Sequence, residues 1–289
     1  MFLDLEDAVA PGAKVGSRQR VAAAVRSSDW GDAVVCIRVN GWASPWTTGD
    51  VLDAVGPAGE RLDTVMLPKV ERAAEVVALD LVLAQLERNS GLAPGHLGIE
   101  VQIETAAGLV GVEEIAAASP RVEALVLGPV DMSASMGMPS LAGGLDIPGY
   151  PGDYFHYVAV KILMAGRAAG VQVVDGPYVK VRDLDGLRSY AARAQILGYD
   201  GKWSLHPDQV PVLNEVFSPS QESYERAWGI LDAYRRATEG DGQGAVMLGE
   251  EMIDEASRKV ALALVARGER AGLRRRGTQA PAGGDAGRR

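Results

Sequence analysis

The chain has 289 residues, of which 47% are hydrophobic and 23% charged, a composition typical of a globular protein with one large domain or two small ones. Its net charge of −9, without a basic stripe, argues against nucleic acid as the main partner. No run of about 18 apolar residues and no charged-then-apolar leader is visible, so we expect a cytoplasmic protein with no membrane partner. Cys36 is the only cysteine, so no internal disulfide can form, and we expect a buried, inert thiol.

Short apolar runs alternate along the chain with longer segments of helical periodicity. Near-continuous apolar runs such as VVCIRV and ALVLG are typical of parallel strands buried on both faces. The predicted strands are Phe2–Leu5, Val34–Val39, Thr64–Leu67, Leu97–Ile103, Ala124–Leu127, Val171–Val174 and Gly201–Leu205.

Helices are predicted between these strands, at Val70–Arg88, Ala106–Ala118, Asp153–Ala169 and Asp183–Leu197. A strand followed by a helix, repeated at this spacing, predicts an α/β fold of the TIM (β/α)₈ barrel type. Seven strands can be counted, and the chain opens directly on FLDLED. We therefore expect a barrel that lacks its first strand and helix, with the true start upstream; an incomplete barrel is the alternative.

The sequence changes character after the last predicted strand. We assign residues 1–217 to the barrel domain. A helix over Pro219–Thr238, with an N-cap and an acidic first turn, is followed by a polar Gly-rich linker at Glu239–Gly244. The segment GEEMIDEASRKVALALVARGERAG predicts a final helix. Residues 218–273 are thus predicted to form a C-terminal helical extension, and residues 274–289 a disordered tail.

Polar residues follow the first two predicted strands, at the end that carries the active site in a barrel of parallel strands. Asp4, Glu6 and Asp7 lie in LDLEDAVAP, and three carboxylates so close need a cation, hydrogen-bond donors or raised pKa values if they are buried. A solvated acidic loop is the alternative. Arg38 and Asn40 lie in an apolar strand, where a guanidinium must pair with a ligand or with the acids of the first strand.

Two further carboxylates follow successive strands. Glu104 ends IEVQIE and Asp131 follows ALVLG, while Lys69 in LPKV is a less specific polar residue one strand earlier. Glu104 and Asp131 can converge on one hard cation such as Mg²⁺, which takes one or two protein carboxylates. Paired acid/base work and helix capping are the alternatives. HExxH-type spacing is absent from the sequence, so zinc is not expected.

Glycine and proline mark two later strand ends, where the backbone turns tightly or approaches a ligand. Asp175 lies in the first, DGPY, and Trp203 in the second, GKWSLHPDQ. Trp203 could stack on a planar part of a ligand such as adenine, and packing in the core is the alternative.

Several motifs occur together in order between residue 2 and about residue 273. They are FLDLEDAVAP, IRVNGW, MLPKVE, IEVQIETAAGL, LGPVDMSASMGM, VVDGPY and GYDGKWSLHPDQVPVLNEVFSPS. This set resembles the citrate lyase β-subunit-like family, also called the HpcH/HpaI aldolase family. GKWSLHPDQ with NEVFSPS, and the later GAVMLGEEMIDEASRK, are similar to its malyl-CoA lyase branch.

The resemblance implies roles for particular residues. Glu104 and Asp131 would bind Mg²⁺, with Mn²⁺ as the substitute, and the ion would hold glyoxylate. Arg38 would stabilise a thioester enolate, and Asp254 in MIDEAS would act as an acid/base in a neighbouring subunit's active site. Glu6 and Asp7 would surround the water on the metal. The residues assigned to substrate and CoA binding are Asn40, Lys69, Gly128, Pro129, Asp175 and Trp203.

The resemblance also implies a reaction and an assembly. The expected reaction is reversible cleavage of L-malyl-CoA, or β-methylmalyl-CoA, to glyoxylate and acetyl-CoA or propionyl-CoA, in a homo-oligomer (trimer or hexamer) whose C-terminal extension caps a neighbour. The alternatives are a citramalyl-CoA lyase, a malyl-CoA thioesterase and, from another class, a non-catalytic or carrier-dependent citrate lyase β-like subunit. The family begins with a strand, a basic loop and a helix that help to hold the CoA phosphates, and we expect these upstream of Met1.

Overall fold

The computed structural model describes residues 1–139, 151–240 and 242–276. The chain divides into two compact units, Met1–Val210 and Pro211–Arg289. Of the predicted disordered tail, residues 277–289 lie outside the described residues.

The first unit is built on a parallel sheet of seven strands, each hydrogen-bonded to the next in sequence order. Parallel neighbours require a crossover after every strand, so all seven strands end on the same side. The strands are β1 Phe2–Asp4, β2 Cys36–Arg38, β3 Thr64–Leu67, β4 Gly98–Ile103, β5 Val122–Leu127, β6 Gln172–Asp175 and β7 Gly201–Lys202. Seven predicted strands are therefore confirmed, most of them with bounds that differ by a few residues.

The sheet curls so that its first and last strands approach each other. The ring of Phe2 on β1 lies 4.5 Å, centroid to centroid, from that of Trp203, the residue after β7. Side chains alternate between the two faces of a strand, and those of one face meet in a single cluster. Its members are Cys36, Met66 and Val126, with Phe2, Val174 and Trp203 packed against them. This cluster is a barrel interior, and the α/β fold is of the TIM-barrel type.

Helices fill the connections of the first unit. They are α1 Lys14–Ser27, α2 Thr47–Asp50, α3 Gly56–Ala58, α4 Ala73–Ser90, α5 Ala106–Val110, α6 Val112–Ala116, α7 Pro129–Ser135, α8 His156–Ala169 and α9 Leu184–Leu197. The predicted helix Ala106–Ala118 is broken in two at Gly111, where glycine has little helix propensity. α9 begins as predicted, because the side chain of Asp183 caps it by accepting from the N–H of Gly186.

The C-terminal unit contains long helices and one hairpin, and α10 Gln209–Phe217 leads into it. Its core joins α11 Gln221–Gly240 to α12 Glu255–Arg270 through Tyr224, Ala227, Ala261 and Val265. The predicted final helix starts later than expected, because an antiparallel hairpin precedes it. The hairpin pairs β8 Val246–Leu248 with β9 Glu251–Ile253, and Gly249 supplies the positive φ of the turn. No helix in the described ranges is long and apolar enough to cross a membrane.

Candidate active site

Arg38 lies inside the barrel at the end of β2 and is held by the acids that follow β1. Its Nε and Nη2 donate to Asp4 Oδ1 and Oδ2 at 2.8 and 2.6 Å, and its Nη1 lies 3.1 Å from Glu6 Oε2. The ring of Trp203 lies 5.0 Å from the guanidinium carbon. Burial alone would raise the pKa of Asp4, but the hydrogen bonds and charge of Arg38 outweigh it and lower that pKa. The structure therefore realises the alternative in which Arg38 pairs with the first-strand acids.

Glu104 follows β4 and is almost fully buried. It lies at the same end of the barrel as Arg38, where the parallel strands end, and this end is the barrel mouth. Its Oε1 accepts from the backbone N–H of Lys69 at 2.9 Å, and its Oε2 accepts from Gln102 Nε2 at 2.6 Å. Burial, followed by the charges of Asp131 and Glu6, raises the pKa of Glu104 to about 8. Negative charge at this position is thus strongly disfavoured unless a cation joins it.

The ammonium group of Lys69 lies close to three further carboxylates of the site. Its Nζ lies 2.5 Å from Glu6 Oε1, 3.2 Å from Asp7 Oδ2 and 3.6 Å from Asp131 Oδ1. Burial opposes the charged form, but the hydrogen bond and charge of Glu6 prevail and raise the pKa of Lys69. In the part of the chain that the structure describes, Lys69 is the one non-glycine residue with positive φ, at +54°. Such a conformation costs about 1–3 kcal/mol and is typical of functional sites.

The donor set at this mouth fits a hard divalent cation. Glu104 and Asp131 both interact with Lys69, and their mutual repulsion contributes to the raised pKa of Glu104. Among the described residues, no three or more His, Cys, Asp or Glu side chains form a group that could hold a metal ion. Mg²⁺ does not need one, since it keeps several waters and takes one or two carboxylates plus substrate oxygens.

Gly128 and Pro129 start the helix that carries Asp131. Gly128 precedes α7, and a Cβ on it would lie 2.3 Å from Glu104 Oε2 and 2.9 Å from Gln102 Nε2. The absence of a side chain at Gly128 therefore makes room for the Glu104 carboxylate. Pro129 occupies the first turn of α7, where its fixed φ suits a helix start.

A cleft of about 590 Å³ opens beside these carboxylates, lined by the loops that follow β1 and β2. Glu6, Asp7 and Lys69 form one side of it, and Trp42 and Trp46 contribute apolar surface. A cleft with apolar walls and a few convergent polar groups is the usual form of a small-molecule site.

Asn40 also lines this cleft, but its side chain is fully engaged within the protein. Its Nδ2 donates to Asp50 Oδ2 at 2.6 Å and to the carbonyl of Leu5 at 2.9 Å, and its Oδ1 accepts from Lys14 Nζ at 2.7 Å. Asn40 therefore fixes the wall of the cleft, and the contact with a substrate expected of it stays a prediction.

The structure does not bring Asp175 into this cluster, and Asp254 is described within its own unit. Asp175 points to the helix side of the sheet, because its strand neighbour Val174 faces the interior, and it pairs with Lys202 Nζ at 2.6 Å. Asp254 lies in the C-terminal unit and caps α12, where its Oδ1 accepts from the N–H of Ser257 at 3.0 Å. That hydrogen bond is the main cause that lowers the pKa of Asp254.

Trp203 packs in the barrel interior against Phe2 and Arg38, which is the core alternative considered for it. The buried Nε1 of Trp203 has no hydrogen-bond partner among the described residues.

Gln102 and Asp4 are structural members of the site to which no role was assigned from the sequence. Gln102 is a polar residue in the middle of the apolar run IEVQI, and that signal could have identified it. Asp4 is one of the three acids of LDLEDAVAP, but its pairing with Arg38 depends on the register of β1 against β2, which places the two residues opposite each other.

The chain is similar to several known proteins. The profile of a family described as HpcH/HpaI aldolase/citrate lyase matches residues 1–207. The L-malyl-CoA/β-methylmalyl-CoA lyase of Cereibacter sphaeroides is 41% identical over 92% of this chain and 86% of its own length. A malyl-CoA/β-methylmalyl-CoA/citramalyl-CoA lyase of Chloroflexus aurantiacus is 34% identical over 91% of this chain and 78% of its own length. CitE from Mycobacterium tuberculosis, solved with magnesium, acetoacetate and coenzyme A, is 29% identical with a TM-score of 0.71, covering 93% of this chain and 89% of that one.

Proposed function

This chain belongs to the HpcH/HpaI aldolase/citrate lyase family, and from that membership and the geometry of the barrel mouth we propose a Mg²⁺-dependent CoA-ester lyase that reversibly cleaves L-malyl-CoA. The enzyme is a carbon–carbon lyase. β-Methylmalyl-CoA, which carries one more methyl group, is the second proposed substrate. The observation that carries the proposal is the buried Glu104, grouped with Asp131 and Glu6 at the strand ends that also hold Arg38.

The proposed reaction breaks the bond between the hydroxyl-bearing carbon and the carbon next to the thioester. The hydroxyl group loses its proton and becomes the carbonyl of glyoxylate, while the bonding electrons pass to the thioester as an enolate. Protonation of the enolate at carbon gives acetyl-CoA from malyl-CoA, or propionyl-CoA from the methylated substrate. The reverse reaction removes that proton and forms the same bond.

Glu104 and Asp131 would hold the metal, Mg²⁺ or Mn²⁺. When bound, the ion supplies positive charge for the carboxylate and carbonyl oxygens of glyoxylate. Glu6 and Asp7, with Lys69 between them, would orient the surrounding water through hydrogen bonds. The magnesium in the solved CitE supports a divalent ion in this fold.

Arg38 would stabilise the enolate oxygen. The guanidinium donates from Nε and from one N–H of Nη2 to Asp4, and its Nη1 faces Glu6. Among the described residues, the second N–H of Nη2 therefore remains available to a ligand. Because Asp4 fixes the guanidinium before any substrate arrives, little reorganisation is needed as the enolate charge develops. Preorganised charge of this kind is usually the largest contribution to catalysis.

Asp254 is the proposed acid/base at the acetyl carbon, acting in the active site of a neighbouring subunit. Its lowered pKa favours the carboxylate, the form needed to remove a proton in the condensation direction. In this proposal residues 1–217 form the catalytic barrel, and residues 218–273 cap the neighbour within a trimer or hexamer.

The proposal is tested by product analysis with purified protein, L-malyl-CoA and Mg²⁺. We expect equal amounts of glyoxylate and acetyl-CoA, with loss of turnover on chelation by EDTA. Free malate without glyoxylate would identify a thioesterase, and pyruvate from citramalyl-CoA would extend the substrates as the name of the Chloroflexus relative suggests. Turnover of a carrier-protein thioester but of no CoA ester would contradict the proposal and favour a carrier-dependent subunit.

A matched pair of variants assigns any observed turnover to this site. Glu104→Gln removes a proposed metal ligand and should lower turnover about 100-fold or more. Glu100→Gln makes the same change four residues earlier on β4, where the side chain accepts from Thr64 Oγ1 at 2.8 Å, and should leave turnover close to that of the wild type. Full activity of Glu104→Gln would end the assignment.

A further inference from the structure

We propose that Gln102 is a positioning residue that couples the orientation of Arg38 to that of Glu104. This inference rests on the proposed function, in which Arg38 and Glu104 act on opposite halves of the substrate. Gln102 lies on β4, is only 3% exposed, and contacts both side chains. Nothing in the sequence motifs assigns it a role.

Two hydrogen bonds carry the argument. Arg38 Nη1 donates to Gln102 Oε1 over a long 3.4 Å, and Gln102 Nε2 donates to Glu104 Oε2 at 2.6 Å. These contacts form a chain from β2 to β4 that crosses the barrel interior and bypasses β3. Its members have little freedom, because all three are buried.

The orientation of the amide follows from its neighbours. A guanidinium can only donate hydrogen bonds, so the amide oxygen must face Arg38, and the amide nitrogen must then face Glu104. Both carboxylate oxygens of Glu104 therefore accept, one from Gln102 and the other from the backbone of Lys69. Donors on both oxygens fix the plane of the carboxylate.

Glutamine is the residue type that this position needs. A glutamate could accept from Arg38 but would repel Glu104, and a methionine of similar length could make neither hydrogen bond. Gly128, directly after β5, closes the site from the side, since a Cβ there would lie 2.9 Å from Gln102 Nε2. The amide is consequently held by hydrogen bonds at both ends and by packing from the side.

Binding of Mn²⁺ alone, followed by electron paramagnetic resonance without substrate, tests the inference. We expect Gln102→Met to raise the Kd for Mn²⁺ about 10–100-fold, the usual effect of removing a group that orients a metal ligand. Gln102→Asn, which keeps the amide but shortens its reach, should act in the same direction. An unchanged Kd in both folded variants would overturn the proposal.

Gln209→Met is the matched control. Gln209 is a fully buried glutamine that also makes two hydrogen bonds, accepting from the N–H of Leu205 and donating to the carbonyl of Tyr178. Its loss should leave the Kd for Mn²⁺ within about twofold of the wild type, because no carboxylate of the site contacts it. An equal rise in Kd in Gln209→Met would show that the effect of Gln102→Met is a general loss of buried hydrogen bonds.

A double-mutant cycle with Arg38→Lys separates positioning from a purely structural role. If Gln102 transmits the orientation of Arg38, then Gln102→Met should raise the Kd for Mn²⁺ less in the Arg38→Lys background than in the wild type. Additive effects would contradict the coupling. Turnover of L-malyl-CoA is measured in parallel: wild-type protein that binds Mn²⁺ but cleaves no CoA ester would defeat the proposed function, while the cycle would still test Gln102.

Discussion

Lys69 donates its backbone N–H to Glu104 Oε1 at 2.9 Å from a left-handed conformation. The same residue extends its ammonium group to Glu6 and Asp7. One residue thus links the proposed metal ligand to the acidic loop that follows β1.

Replacing Lys69 should make the protein depend on a divalent cation for stability. Lys69→Met leaves Glu6, Asp7 and Asp131 without their shared ammonium group, and the metal-free protein should lose about 1–3 kcal/mol of unfolding free energy. Addition of Mg²⁺ should then raise the melting temperature more than in the wild type, because the ion replaces the missing charge. Thermal unfolding with and without Mg²⁺ measures this, and an equal shift in both proteins would contradict it.

Gly128→Ala should impair the site by contact alone. The new Cβ would lie 2.3 Å from Glu104 Oε2, so the carboxylate must move, and we expect Mn²⁺ affinity and turnover to fall about 10-fold or more. Gly201→Ala is the control, since a Cβ on that barrel strand meets no atom within 4 Å. Equal behaviour of the two variants in Mn²⁺ titrations would refute the packing role of Gly128.

Glu87 should account for part of the acid sensitivity of the fold. Burial opposes the ionisation of Glu87. Its carboxylate accepts two hydrogen bonds from Arg121, at 2.6 and 2.7 Å, and one each from the N–H groups of Leu97 and Gly95. These hydrogen bonds outweigh burial and lower the pKa of Glu87 from 4.5 to about 2. Since the folded pKa is depressed, the stabilisation is fully present above the unfolded value of about 4.5 and is lost as the pH falls through about 2.

The variant Glu87→Gln checks this sign. At pH 7 it should be destabilised by about 3 kcal/mol relative to the wild type, and the difference should shrink steadily between about pH 5 and pH 2. Urea unfolding at a series of pH values gives both free energies. A difference that stays constant across this range would show that the ion pair with Arg121 is not its origin.

If Asp254 acts in the active site of a neighbouring subunit, two inactive variants should complement each other in a mixed oligomer. In a ring of subunits, co-expression of Arg38→Ala with Asp254→Asn creates sites that combine an intact Arg38 with a neighbour's intact Asp254. Oligomers that contain both variants should return about a quarter to a third of wild-type turnover, although each variant alone is inactive. Differently tagged variants purified through both tags allow the measurement, and activity no greater than that of the separate variants would place Asp254 outside the neighbouring site.

Much of the barrel could be predicted from local sequence pattern. β3 has the bounds that its apolar run predicts, and the strands before Glu104 and Asp131 place both residues at the correct end of the sheet. Such predictions succeed because a parallel strand buried on both faces is apolar along its whole length. α1 escaped prediction for the converse reason: its buried residues include Lys14 and Arg18, so no apolar stripe marks the helix.

The sequence alone determined the strand order, the acidic and basic residues at the strand ends, and the family to which they belong. Only the tertiary structure decided their partners. Asp4 and Arg38 are 34 residues apart and meet through the register of β1 against β2, and Gln102 reaches Arg38 from two strands away across the interior. Asp175 is the last residue of its strand, as Arg38 is of β2, but its side chain faces the helices because a strand alternates its side chains between two faces. Periodicity is a local property that a sequence carries, whereas a hydrogen bond between distant residues depends on the geometry of the curled sheet that brings them together.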